Sequence, residues 1–212
     1  MANNEPSRME LISAEIERCQ ACDLHIGARR GVPGSGDPQA EVMMIGEAPS
    51  AYDDRTGRPF SGPTGDFLDE LLELAGMRRE QVYLTNVVMH RLPANRDLSP
   101  REVTACAPFL NREIAAVNPI LIVTLGRYAL AHFLPKARIT AIHGRAWPHG
   151  KRFILAMYNP AAALHREELR SGVIADFATA LPAALAEARS RTGGVRPIPD
   201  EDNPGPQQMS LF

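Results

Sequence analysis

The stretch Val42-Met-Met-Ile-Gly-Glu-Ala-Pro-Ser50 decides how this chain folds. Four apolar residues in a row, stopped by Gly46, read as a short buried strand. Three further runs have the same character: Val82–Thr85, Ile120–Leu125 and Phe153–Met157, each bounded by Gly, Pro or Asn. Helices are expected over Gly65–Ala75, Pro100–Val117 and Arg127–Phe133, and a last one over Leu169–Arg189 that Pro182 kinks or breaks. Strands that alternate with helices pair in parallel through right-handed crossovers. The expected fold is therefore α/β, a three-layer α/β/α sandwich around a central four-stranded parallel sheet.

Sheets of this kind bind ligands beyond the carboxyl ends of their strands. The residues expected there are Gly46-Glu47-Ala48-Pro49, Asn86, Gly126 and Asn159-Pro160. Ahead of the first strand, Ser7–Arg18 carries Met9, Ile12 and Ile16 at helical spacing and leads into Cys19. The passage Gly31-Val-Pro-Gly-Ser-Gly36 is expected as loop. From about Arg191 the composition turns to Gly, Pro and acids. This gives a domain over 1–190 and a disordered tail over 191–212.

With 212 residues, 44% hydrophobic and 23% charged, the chain has material for one sizeable core. Its formal charge of -2 advertises no nucleic-acid partner. Without Asp200, Glu201 and Asp202 the count is 23 basic against 22 acidic, or +1. No apolar run resembles a signal sequence, and none is expected to span a membrane. The expected setting is the cytoplasm, as a monomer.

All three cysteines fall in a ligand-like pattern with one histidine: Cys19-x2-Cys22 and His90-x15-Cys106. One centre on these four residues staples the amino-terminal arm to the middle of the domain. An iron–sulfur cluster and a structural zinc both accept such a set.

Several ordered motifs resemble those of the type-4 uracil-DNA glycosylases, the iron–sulfur branch of the uracil-DNA glycosylase superfamily. Gly46-Glu-Ala-Pro-Ser50, Asp53-Asp54 and Gly57-Arg-Pro-Phe-Ser-Gly62 resemble the family's first motif. Cys19-x2-Cys22-x-Leu24, with Arg29, Val32, Gly34 and Gly36, resembles its cluster-binding arm. Thr85-Asn-Val-Val88 with Arg91, Pro93, Asn95, Arg96, Glu102 and Cys106 follows, and Asn159-Pro-Ala-Ala-Ala163 stands in the place of the second catalytic motif. The resemblance covers about residues 17–186.

It implies a monofunctional glycosylase that flips uracil out of DNA and hydrolyses its N-glycosidic bond. Phe60 is the implied stacking ring. Asn86 is the implied reader of uracil O4 and N3–H, since a carboxamide carries both a donor and an acceptor. Glu47 positions water and faces the cationic sugar. The 46–49 turn, with Gly46, Ala48 and Pro49, grips the base through its backbone. Leu164 is the apolar wedge that fills the space left in the stack, and Arg58, Arg91, Arg96, Arg145 and Arg166 are candidate phosphate contacts. No lysine stands in these motifs to form a Schiff base, so lyase activity is not expected.

Two positions depart from the family pattern. His90 replaces the usual third cysteine, and imidazole is an acceptable iron ligand. A related branch that captures its product covalently also has histidine there, with a basic insertion that the short Arg91–Asp97 segment lacks. Asn159 replaces the histidine that donates to uracil O2, and a carboxamide N–H performs that task without charge. Two alternatives follow from Asn159: excision of hypoxanthine, xanthine or mismatched bases, or a metal-stapled damage-binding module with weakened catalysis. The resemblance favours a [4Fe-4S] cluster on Cys19, Cys22, His90 and Cys106, with structural zinc as the alternative. The chain ends Gln208-Met-Ser-Leu-Phe212, similar to peptides that dock repair enzymes on the bacterial sliding clamp. Gln208, Met209, Leu211 and Phe212 are the expected anchors.

Overall fold

The structure, a computed structural model, describes residues 6–192. Its sheet contains β1 (Ser35–Gly36), β2 (Val42–Gly46), β3 (Val82–Asn86), β4 (Leu121–Leu125), β5 (Arg145–His149) and β6 (Arg152–Met157). Their order across the sheet is β1-β3-β2-β4-β6-β5. The four expected strands form the parallel centre, β3-β2-β4-β6. The sheet has six strands rather than four, because an antiparallel edge strand is added on each side. Neither edge announces itself in sequence. β1 is two residues of the passage expected as loop, and β5 has no fully buried residue and contains Pro148, which an edge strand tolerates.

Ten helices cover the sheet among the described residues: α1 (Arg8–Glu17), α2 (Leu24–Gly27), α3 (Ala51–Thr56), α4 (Pro63–Leu74), α5 (Pro100–Val117), α6 (Arg127–Phe133), α7 (Ile139–Ile142), α8 (Pro160–His165), α9 (Glu167–Ala175) and α10 (Leu181–Thr192). Three of them start on reciprocal caps, Ser7 with Glu10, Ser50 with Asp53 and Ser99 with Glu102. Each such pair satisfies two backbone donors that a bare helix end leaves open. Side chains of the strands alternate between two cores. Met44, Leu84 and Val123 meet Leu68, Leu72 and Phe177 on one face. Met43, Ile45 and Ile122 meet Ile12, Ile16 and Leu110 on the other. The three-layer sandwich follows from that alternation.

Between α9 and α10 the backbone makes a π-helical turn, Asp176–Ala180, just ahead of Pro182. The expected break is thus a widened turn inside one helical run, Glu167–Thr192. By length and composition that run is apolar enough to cross a membrane, contrary to expectation. Its apolar residues have another use here: Val173, Phe177, Leu181 and Leu185 pack in the core.

One buried carboxylate ties three segments together. Glu113 of α5 accepts from Thr85 Oγ1 at 2.6 Å, from the Gly34 amide at 2.8 Å and from the Tyr83 hydroxyl at 3.1 Å. Burial pushes its pKa up while the three donors oppose the shift. It thereby fixes β3 next to Asn86. The expected clamp anchors Gln208, Met209, Leu211 and Phe212 lie outside the described residues.

Candidate active site

Parallel register places the strand ends in a row. Gly46 stands opposite Asn86 on β3, and Leu125 of β4 opposite Met157 of β6. The side chain of Asn86 is buried, and no hydrogen bond engages it among the described residues. It leans across Gly46, where a Cβ would stand 2.5 Å from Asn86 Oδ1 and 2.7 Å from Phe60 Cζ. Only glycine fits between them. An amide edge, an aromatic ring and bare backbone therefore converge at one point, as a slot for a flat polar ring requires.

Phe60 reaches that point through a backbone conformation that side chains rarely adopt, with φ of 54°. Such strain persists only where neighbours over-determine it. Arg79 supplies one restraint, donating to the Phe60 carbonyl at 3.0 Å and to Asp69 at 2.7 Å. Asp53 supplies another, accepting from the Ser50 amide at 2.8 Å and the Ser61 amide at 2.6 Å. Sequence reasoning assigned neither residue a role. Asp53 was within reach, since Ser50-x-x-Asp53 is a capping box; the Arg79 contact spans 19 residues and leaves no local signal.

Glu47 follows β2 and is half-buried. Its carbonyl accepts from the Val88 amide at 3.2 Å, which locks the turn against β3. Ala48 packs against the core, and Pro49 is buried. Having no amide hydrogen, Pro49 offers a base no donor; its part in the grip is to fix the turn. Burial pushes the Glu47 carboxyl above its ordinary value, Arg127 pulls it back and Asp97 adds to the upward push. Arg127 is itself paired with Asp97 and lies over the Tyr128 ring at 4.5 Å. If Glu47 works as a carboxylate, rate rises with pH through its raised pKa. Arg127→Ala removes the opposing positive charge, so the acidic limb of the kcat profile is expected to move to higher pH. An unmoved limb would separate Arg127 from Glu47.

Asn159 opens α8. Its Oδ1 accepts from the Ala161 amide at 3.0 Å as the helix cap. Because a carboxamide accepts through its oxygen and not through its nitrogen, this bond sets the orientation of the side chain and leaves Nδ2 as the donor. Asn159 lies beside Gly126, where a Cβ would stand 3.4 Å from its own. It thus joins the row of strand ends, two strands from Gly46, and among the described residues its one side-chain hydrogen bond goes to Ala161 rather than to the Gly46–Phe60–Asn86 group. The segment after it is a helical turn rather than a loop. Leu164 sits there 39% exposed, as a wedge must, while Ala163 is buried. Arg58, Arg145 and Arg166 are exposed and Arg91 is half-buried. Arg96 is committed elsewhere: its guanidinium beside Glu102 holds that carboxyl at about 2.

The four expected metal ligands come from the arm, the β3–α5 connection and α5. Cys22, His90 and Cys106 are buried, and Cys19 is half-buried. Burial pushes the Cys106 thiol up to about 12, and the neighbouring Cys22 and Cys19 side chains push it the same way. The Nδ1 atom of His90 is buried without a hydrogen-bond partner among the described residues, a costly state for an imidazole. Among the described residues no three His, Cys, Asp or Glu side chains close around one point as a single metal ion demands. The Val32 amide donates to the Met89 carbonyl (2.7 Å) and the Arg29 amide to Asp54 Oδ1 (2.8 Å), which fastens the arm beside the slot.

Comparison with known proteins gives concordant results. Residues 33–181 match the model of the Uracil DNA glycosylase superfamily. The chain is 40% identical over 179 residues to a type-4 uracil-DNA glycosylase of Sulfurisphaera tokodaii, covering 80% of this chain and 81% of that one. It is 41% identical over 175 residues to the type-4 uracil-DNA glycosylase of Archaeoglobus fulgidus, covering 78% and 88%. The corresponding protein of Thermotoga maritima is 39% identical over 175 residues, covering 80% and 91%.

Proposed function

Since the chain belongs to the uracil-DNA glycosylase superfamily, and within it to the type-4 uracil-DNA glycosylases, we propose that it excises uracil from DNA in the cytoplasm and leaves an abasic site. The observation that carries this reading is the convergence of Phe60 and Asn86 on the bare backbone of Gly46. A pyrimidine flipped from the stack lies against Phe60. The unengaged Asn86 amide reads O4 and N3–H, and cytosine presents the opposite pattern of donor and acceptor there.

As the C1′–N1 bond breaks, negative charge spreads onto uracil O2 and positive charge onto the sugar. Asn159 Nδ2 donates to O2, and the Glu47 carboxylate faces the sugar and orients the water that adds at C1′. Leu164 enters the gap left in the stack. The products are free uracil and an abasic deoxyribose. Single-turnover assays on oligonucleotides with one uracil, hypoxanthine or xanthine test this. Strand cleavage on uracil only after alkali is expected. Cleavage of hypoxanthine or xanthine alone would transfer the site to the alternative raised by Asn159, and binding without cleavage would indicate a damage-binding module.

For the metal centre we read Cys19, Cys22, His90 and Cys106 as ligands of a [4Fe-4S] cluster. The buried His90 Nδ1 without a partner and the neighbouring thiols fit that donor set. When bound, the cluster supplies a cross-link between arm and domain; hydrolysis requires no electron. Purified protein is expected to be brown, with about four irons per chain, and Cys106→Ser is expected to lose colour and melting temperature together. A colourless protein that releases zinc would overturn the assignment.

A further inference from the structure

Behind the second motif lies a cluster that none of the steps above uses. Asp176 opens the π-helical turn and is buried. It accepts from His143 Nδ1 at 2.8 Å. The next residue, Gly144, has φ of 73°, and a Cβ there would stand 2.6 Å from Asp176 Oδ1, so only glycine lets the two segments meet. The Gly144 amide donates to the Ala156 carbonyl at 2.8 Å, stitching this turn to β6. The His143 ring lies over Tyr158, with centroids 4.4 Å apart and planes inclined by 36°. Tyr158 directly precedes Asn159.

A π turn gives up regular helical bonding, and such turns concentrate at functional sites. Here the widened turn carries the carboxylate, the carboxylate aims the imidazole, and the imidazole presses on the residue that leads into the catalytic amide. We propose that Asp176 and His143 are positioning residues that act through Tyr158 to hold Asn159 in register with the base, an inference that rests on the proposed excision mechanism. The cap bond to Ala161 fixes how the Asn159 carboxamide is turned. The stack on Tyr158 fixes where the start of α8 stands relative to β4.

The test is a double-mutant cycle read by single-turnover excision. His143→Ala is expected to lower the maximal rate about tenfold with little change in the concentration for half-maximal rate, since small misplacements of a catalytic group carry losses of this order or more. Asp176→Asn keeps an oxygen acceptor for Nδ1–H and is expected to lose less than Asp176→Ala. In an Asn159→Asp background His143→Ala is expected to add no further loss, because the group being positioned is gone. Equal loss in both backgrounds would overturn the proposal. A second readout needs no substrate: amide hydrogen exchange over residues 158–165 is expected to quicken in His143→Ala while β2 and β3 are unchanged. Unchanged exchange there would also overturn it. If the wild-type protein excises another base, the same cycle on that base keeps this outcome distinct from failure of the uracil assignment.

Discussion

Asn159→Asp is expected to reduce uracil excision about a thousandfold while leaving the fold as stable as before. The stability half of this result follows from the cap. Asparagine and aspartate are equally good as the N-cap residue just ahead of a helix, and the oxygen that accepts from Ala161 is present in both. A carboxylate at a helix N-terminus is if anything favoured by the exposed amide dipoles. The activity half follows from what the substitution puts in place of Nδ2. Loss of one donor to a developing anion typically costs 10²–10³ in rate, and the new oxygen adds like charge beside uracil O2. A thermal melt unchanged within about a degree, beside a single-turnover rate lower by about three orders of magnitude, is the expected pair of results. A rate within about tenfold of wild type would remove Asn159 from the chemistry and leave it as a cap alone.

The contrast between what was and was not legible in the sequence has a physical pattern. Val42–Gly46, Val82–Asn86 and the strands of β4 and β6 were readable because a strand buried on both faces is a continuous apolar run. β1 and β5 were not: β1 has only two residues, and β5, half-solvated at the edge, has no continuous apolar run. The slot residues Gly46, Phe60 and Asn86 were found through motif resemblance, which carried their roles. It carried nothing about the strained φ of Phe60 or the Arg79 contact that sustains it, since long-range hydrogen bonds leave no local spacing. Arg127 starts α6 as read, and its charge also opposes the upward push on Glu47, a role its place in the sequence did not announce. Asn159 was read as a donor; its second use as a cap became visible only with the backbone in place. The two uses are compatible because a carboxamide has an acceptor to spend on the helix and a donor left over.

Gly46→Ala is expected to abolish excision, and its cost is expected to be relieved by shortening Phe60. The added methyl meets Asn86 Oδ1 at 2.5 Å and Phe60 Cζ at 2.7 Å, so one of them has to move. Neither yields easily. Asn86 ends a buried strand whose preceding residue, Thr85, is tied to Glu113 at 2.6 Å. Phe60 is pinned by Arg79 and by a loop that Asp53 closes. Overpacking of a tight site generally costs about 1–3 kcal/mol, and a clash against two restrained partners belongs at the upper end. Two effects then separate. Phe60→Ala in the Gly46→Ala background makes room for the methyl, so the two substitutions are expected to be less destabilising together than the sum of each alone, with a coupling of about 1 kcal/mol or more. Activity is not expected to return, because the same change removes the surface on which the base stacks. Recovery of melting temperature without recovery of excision would mean that Gly46 is bare because the ring and the amide need the same space as the base. Strict additivity in stability would mean that Phe60 does not rest on Gly46 in solution, and the slot as drawn would be lost.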